Sequence, residues 1–285
     1  MERIAVMTDT NSGISPEEAG RAGVFLLAMP FTVGDRVCLE YLDISHEEFY
    51  QRQTEGVQIS SSQPAPADLL AMWDRALEEH DKLIYIPMTS GLSGSCATAQ
   101  ALAGEYDGRV LVVDNRRISV PLKQSVLEAV RLRDAGRSAA EIAQRLTEKA
   151  LDSHIYISAE DLNHLKRSGR ITPAVAAVGT VLNIKPVMKI LGGKLDMHCK
   201  VRGMKQARQA MLDAIAHDLE HDFAGRKVII AAAYSGDAQA GQAWAEAVHT
   251  AFHDYPFMSD PLPLSIGCHV GPGALGAAIF ADYDL

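Results

Sequence analysis

The sequence predicts an α/β protein built as two successive α/β domains. Short apolar runs end in polar turns and lead into stretches with a helical apolar stripe. That alternation restarts once, after a quiet seam at residues 151–154. Hydroxyl- and glycine-rich loops recur at the ends of the apolar runs, where ligands collect in α/β sheets. The seam divides the chain into residues 1–152 and 153–285.

The elements follow in order. Ile4 to Met7 reads as a buried strand ended by the polar turn Thr8 to Gly13. Val24 to Phe31 reads as a second strand, with a hairpin at Val33-Gly34-Asp35. Leu69, Leu70, Trp73, Ala76 and Leu77 share one helical face. Leu83 to Met88 is a strand, then a Gly/Ser turn and a helix; Val110 to Val113 is a strand ended by Asp114. Helices are expected at Lys123 to Asp134 and Ala139 to Ala150, the second opened by a Ser138/Glu141 capping box. After the seam, Ile155 to Ser158 reads as a strand and Glu160 to Arg167 as a short helix ended by Gly169. Pro186 to Ile190 and Lys194 to Lys200 pair as a hairpin across Gly192-Gly193. Lys205 to His221 is a helix, Lys227 to Ala233 a strand, and Ala238 to His253 a helix. Leu264 to Cys268 reads as a last strand, followed by a glycine-rich turn into a helix.

Composition narrows the function classes. The chain has 285 residues, 47% of them hydrophobic and 22% charged, as in an ordinary globular protein. A net charge of −9 argues against broad nucleic-acid binding. Cys38, Cys96, Cys199 and Cys268 form no C-x-x-C pair, which fits reduced thiols in a cytoplasmic protein. The first residues lack a signal-peptide core, and no run reaches the roughly 18 apolar residues of a membrane span.

Four loops carry candidate chemistry. Residues 271–276 contain G-x-G-x-x-G, but a dinucleotide site needs a βαβ unit and a later acidic residue, and the sequence ends at Leu285. What remains is His269 at the end of an apolar run, before a turn whose amides and following helix would face an anion. Thr89-Ser90-Gly91-Leu92-Ser93-Gly94-Ser95 is a second anion cradle or an ordinary helix cap; it lacks the G-K-[ST] of a P-loop. Ser60-Ser61-Ser62-Gln63-Pro64 offers three hydroxyls or simple turn chemistry. Lys166, Arg167 and Arg170 form a basic cluster, and helix-dipole complementation does not account for Arg170, which lies past Gly169. Lys200, Arg202 and Lys205 form a second, and the two together read as one positive rim. Asp9 and Asp114 end strands as catalytic carboxylates or as turn caps. His217/His221 and His249/His253 have metal-compatible i, i+4 spacing without the glutamate of H-E-x-x-H, and read as solvated faces.

Taken together, these loops resemble the DegV family, fatty-acid-binding proteins that serve as lipid-binding subunits of bacterial fatty acid kinase. The family's D-S-T-x-D corresponds to Asp9 to Gly13, its T-S-Q-P-S to Ser61 to Ala65, and its S-S-G-L-S-G-T to Thr89 to Ser95. Its L-K-R-G-G-R-I corresponds to Leu165 to Ile171, its I-K-P to Ile184 to Pro186, its K-V-R-G to Lys200 to Gly203, and its H-x-G-P-G-A-L-G to His269 to Gly276. The order is kept over nearly the whole chain. Ser61 stands for the family's threonine, Thr89 and Ala65 for serines, Pro121 for a glycine, and Ser12-Gly13 for an acidic end.

The resemblance implies two α/β domains with a long-chain fatty acid between them. Its carboxylate would meet Ser61, Ser93, Gly94 and His269, with Ser62, Thr89 and Ser90 as further ligand-loop residues. His269 would act as a protonated or an N–H-donating group. The tail would supply the affinity, at ~0.8 kcal/mol per buried methylene. Tunnel walls would include Met29, Phe31, Leu92, Val178 and Leu182. Arg170 would serve the kinase step, with Lys166, Arg167 and Arg202 facing the partner or its phosphate. The implied partners are the fatty acid, a separate ATP-dependent kinase that forms the acyl phosphate, and a transient membrane contact for lipid exchange; no metal, cofactor or nucleic acid is expected. Two rivals remain: a self-sufficient phosphoryl-transfer enzyme acting on a small anion through Ser93, His269 and Asp9, and a protein–protein adaptor that binds no ligand.

Overall fold

The computed structural model describes residues 2–178 and 183–282. Its strands are β1 (Ile4–Asp9), β2 (Val24–Leu27), β3 (Pro30–Val33), β4 (Arg36–Leu39), β5 (Ile59–Ser61), β6 (Lys82–Ile86), β7 (Val110–Val112), β8 (Ser153–Ser158), β9 (Ile184–Ile190), β10 (Asp196–Arg202), β11 (Val228–Tyr234), β12 (Phe257–Pro261) and β13 (Leu275–Ala281). They form three sheets: a parallel one in the order β2-β1-β6-β7, a small antiparallel one, β4-β3-β5, and a mixed one in the order β10-β9-β8-β13-β11-β12. No described helix is long and apolar enough to cross a membrane.

The parallel sheet is covered on both faces, as parallel sheets must be. Ile4, Val6, Ile84 and Ile86 face one core; Ala5, Met7, Leu83 and Tyr85 face another, packed on Trp73 of the helix Pro66–Glu79. The Ser138/Glu141 capping box is present at the helix Ala139–Glu148. The mixed sheet likewise has two cores. Tyr156, Ile230 and Ala277 pack on the helices Gly203–Glu220 and Ala238–Ala251. Ile157, Ala231, Ala233 and Ala278 face the other way, toward Ile118 and Val120, which come from the sequence before the seam.

The structure corrects three elements of the sequence reading. Val24 to Phe31 is two strands, not one. The chain leaves the parallel sheet after Leu27 and joins the antiparallel one at Pro30, with the Met29 N–H donating to Thr10 Oγ1 at 3.1 Å. Residues 264–268 belong to an α-helix, Leu264–Val270, not a strand. Six of its seven residues are buried, so its apolar run has no periodicity that would separate helix from strand. The glycine turn after it leads into β13, not a helix. β13 is rich in helix-favouring alanine, but it lies between β8 and β11 and every residue is buried, so ladder pairing and packing override propensity.

The helix Leu264–Val270 is held from across the seam. Glu40 Oε1 accepts the Leu264 N–H at 2.5 Å and Glu40 Oε2 accepts the Thr10 hydroxyl at 2.7 Å. Ser265 donates to Asn11 Oδ1 at 2.6 Å, and Gln53 donates to the Gly267 carbonyl at 3.2 Å. A Cβ at Gly267 would lie 2.6 Å from Tyr50 Oη and 3.2 Å from Phe49 Cε1, so a larger residue there would have to displace these rings.

Glu40 is fully buried, and that burial pushes its carboxyl up to about 7 against an ordinary 4.5. Folded protein therefore keeps a proton that the unfolded chain has lost between these values. Stability from this group falls as pH rises through that window. Glu40→Gln keeps an acceptor for Leu264 without the titration. In thermal melts from pH 5 to pH 8, the variant is expected to gain on wild type steadily with pH; parallel profiles would refute the assignment.

Candidate ligand-binding site

An apolar cavity of about 330 Å³ lies between the mixed sheet and the residues before the seam. Its floor is small-chained. Ala231 pairs with Ala278 across β11 and β13, and Ala233 pairs with Gly276. These residues sit where a sheet of ordinary side chains would close the space, since protein interiors pack to crystal-like density. Ile155, Ile157 and Ile190 extend the floor; Met88, Leu92, Ile118 and Val120 form the roof. Of the expected tunnel residues, Met29 and Leu92 line the cavity. Phe31 packs instead against Phe49, with ring centroids 5.4 Å apart, and Val178 is buried elsewhere. Leu182 lies outside the described residues.

One end of the cavity is polar. Ser61 Oγ and His269 Nε2 are 2.7 Å apart, and the tautomer decides which donates. Ser61 is the last residue of β5, and His269 lies in the last turn of its helix rather than at a strand end. The helix-dipole argument for an anion beside His269 is therefore reversed, because the C-terminal end is the negative one. Burial, then the neighbouring Arg170, pushes the His269 imidazolium down to about 4. With no anion beside it, the ring is neutral at pH 7.

Ser93 and Gly94 also line this cavity, as do Ser62, Gln63, Asn11 and Ser265. Here the strand–turn–helix reading holds. Gly94 caps the helix Ser95–Ala103 with no side-chain hydrogen bond, and Ser93 Oγ lies 2.9 Å from Ser95 Oγ. Thr89 and Ser90 are placed differently. Thr89 Oγ1 donates to the Gly192 carbonyl at 3.1 Å, and Ser90 Oγ donates to Asp114 at 2.5 Å; neither lines the cavity. Asp9 serves as a turn cap, accepting the Asn11 backbone N–H at 3.0 Å and the Met88 N–H at 3.2 Å, and burial raises it to about 6. His269 is bonded to Ser61, and no hydrogen bond among the described residues joins it to Ser93 or Asp9.

A second, polar cleft of about 600 Å³ adjoins the cavity. Ser61, Arg170 and His269 line both. Arg167 and His164 line the cleft alone, 3.2 Å apart between Arg167 Nη2 and His164 Nδ1. Arg170 donates to the Ser168 carbonyl at 2.5 Å and the Leu92 carbonyl at 3.4 Å, which fixes its guanidinium at the junction. Lys166 donates to the Val178 carbonyl at 3.0 Å. Arg202 does not join this cluster. The Leu195 N–H bonds to the Arg170 carbonyl, and the seven residues of β10, roughly 23 Å of strand, separate that point from Arg202. The expected single basic rim is two separate patches.

The 89–94 loop is pressed onto the β9–β10 turn. A Cβ on Gly91 would lie 2.6 Å from Gly193 Cα and 2.7 Å from the Gly192 carbonyl oxygen, both backbone atoms that cannot rotate away. Gly91→Ala is expected to lower stability by ~1–3 kcal/mol through overpacking, read from the denaturant midpoint. Gly104→Ala, with open space at its Cβ, is the neutral control. Equal midpoints for the two variants would contradict this contact.

Comparison with known proteins places these features in a family. The DegV family model, described as "Uncharacterised protein, DegV family", matches residues 3–282. A DegV domain-containing protein of Deinococcus radiodurans is 30% identical over 278 residues, covering 97% of this chain and 98% of that protein. A solved DegV family protein from Thermus thermophilus, described by its fatty acid binding, superposes with a TM-score of 0.88 at 31% identity, covering 98% of this chain and all of that one. DegV of Bacillus subtilis, described as a fatty acid binding protein, has a TM-score of 0.87 at 23% identity, covering 99% and 100% of the two chains, and bears on the fold alone.

Proposed function

This chain belongs to the DegV family, and from that premise we propose that it binds a long-chain fatty acid in the apolar cavity and presents the carboxylate to a separate ATP-dependent kinase. The observation that carries this reading is the join between the two spaces. A hydrocarbon-lined cavity ends at Ser61, His269 and Arg170, and the same residues open onto a polar cleft. A volume of about 330 Å³ falls within the roughly 300–1,000 Å³ of small-molecule sites. The fatty acid binding described for the Thermus thermophilus relative supports the ligand class.

The chemistry of the polar end fits a carboxylate. A buried carboxylate without donors is costly. Here the donors are the Ser61 and Ser93 hydroxyls, the amide at Gly94 and a neutral imidazole, with Arg170 as the nearby cation. The domain division at residues 152/153 belongs to the same proposal, since the cavity has walls from both sides of it. Arg170, which faces both spaces, is the residue assigned to the phosphoryl-transfer step. Lys166 and Arg167 flank it, while Arg202 would meet the partner at a separate patch.

Ala278→Leu puts a branched side chain into the cavity floor. Each methylene it displaces forfeits ~0.8 kcal/mol of transfer energy, so affinity for the same fatty acid is expected to fall roughly tenfold or more. Native mass spectrometry of the purified protein should show lost or shortened acyl ligand with the fold retained. Wild-type occupancy by the same chain length would rule the cavity out as the acyl site. Arg170→Ala is expected to retain lipid but to lose acyl-phosphate formation with the cognate kinase. Phosphorylation at the wild-type rate would remove Arg170 from that step.

A further inference from the structure

On the face of the mixed sheet away from the cavity, His154 of β8 directs Nδ1 at two carboxylates. Asp218, on the helix Gly203–Glu220, is 2.7 Å away, and Asp222, in the turn after it, is 3.7 Å away. The three candidate ligand atoms lie within 4.8 Å of one another. His154 and Asp218 are buried, whereas the Asp222 side chain is 57% exposed and leaves an entry from solvent. The cluster is braced: Tyr156 Oη donates to Asp218 Oδ2 at 2.8 Å, and Phe223 packs edge-on to the His154 ring at 5.2 Å.

An imidazole Nδ1 carries at most one proton, yet two carboxylate oxygens face it. A divalent cation in place of that proton would satisfy all three groups. We propose that His154, Asp218 and Asp222 form a binding site for a borderline divalent cation of the Zn²⁺ class, with water in the remaining position. Zinc bonds of about 2.0–2.2 Å put tetrahedral ligand atoms roughly 3.4 Å apart, and the observed separations of 2.7 and 3.7 Å bracket that value. The donor set of one imidazole nitrogen and carboxylate oxygens suits zinc better than magnesium, which prefers oxygen ligands and retained waters. Binding at Nδ1 leaves the imidazole proton on Nε2, the tautomer that a metal-bound ring requires. Tyr156 acts as the outer partner that orients Asp218.

The nearest rival lies one step along the same helix. His217 and His221 stack with centroids 4.0 Å apart and are both exposed. The test is calorimetric titration of the full chain, freed of metal by a chelator, with ZnCl₂ and separately with MgCl₂. Saturable zinc uptake, little magnesium uptake and a higher melting temperature with zinc are expected. Asp222→Asn, an exposed substitution, should weaken zinc binding about tenfold or more, while His217→Ala/His221→Ala should not. The proposal falls if zinc does not saturate, if Asp222→Asn binds like wild type, or if only the double histidine variant loses binding.

Discussion

The helix that carries His269 has seven residues and cannot stand alone. Nucleation makes isolated helices shorter than about 12–15 residues marginal in water. Its capping comes from elsewhere in the chain: Glu40 at its first N–H, Asn11 at Ser265, and Gln53 at the Gly267 carbonyl. Phe49 and Tyr50 pack where Gly267 leaves room. The contacts that join the two halves of the sequence are thus the contacts that place the imidazole. Loosening the interface and displacing His269 are one event, and the Ser61–His269 bond, 208 residues apart in sequence, exists only while the halves stay together.

The cavity depends on the same join. An open space in a protein costs the contacts its walls would have made. Small residues open it from one side, through Ala231, Ala233, Gly276 and Ala278, while the residues from Met88 to Val120 roof it without filling it. The roof is fixed laterally by Gly91 against Gly192-Gly193 and by Thr89 on the Gly192 carbonyl. A void of this kind is stable when a ligand's hydrocarbon replaces the missing contacts, which is what the proposed fatty acid would do.

Legibility in the sequence followed the range of the interaction. The strands Ile4–Asp9, Lys82–Ile86 and Val110–Val112, the amphipathic helix around Trp73 and the Ser138/Glu141 cap are local patterns and were readable. Ser61, Ser93, Gly94 and His269 were visible as hydroxyl, glycine and histidine loops, and the structure brings all four to one cavity. The strand–helix exchange at residues 264–281 was not readable, because both segments are apolar on every side and their neighbours decide the outcome. Glu40 was missed for a related reason: its partner Leu264 is 224 residues away. The three alanines at 231–233 did carry a signal. Where β11 passes from Ile229 and Ile230 to alanine, Ala231 and Ala233 leave space on the face toward the cavity, and that space is its floor.

The balance of charge at the cavity mouth explains why a neutral histidine and a restrained arginine occur together. Burial disfavours the imidazolium and Arg170 disfavours it further, so the ring of His269 is neutral when no anion lies beside it. The guanidinium is tethered to two carbonyls, those of Ser168 and Leu92. It lies at the edge of both spaces without closing either. A carboxylate held mainly by neutral donors keeps its own charge available, whereas a tight bidentate ion pair would spread and mask it. The proposed function, holding a hydrocarbon firmly while exposing a reactive oxygen to a second protein, would require a division of labour. In the proposed function the tail would supply the affinity, the hydroxyls and imidazole would set the orientation, and the arginine would stay within reach of charge that develops only when phosphoryl transfer begins.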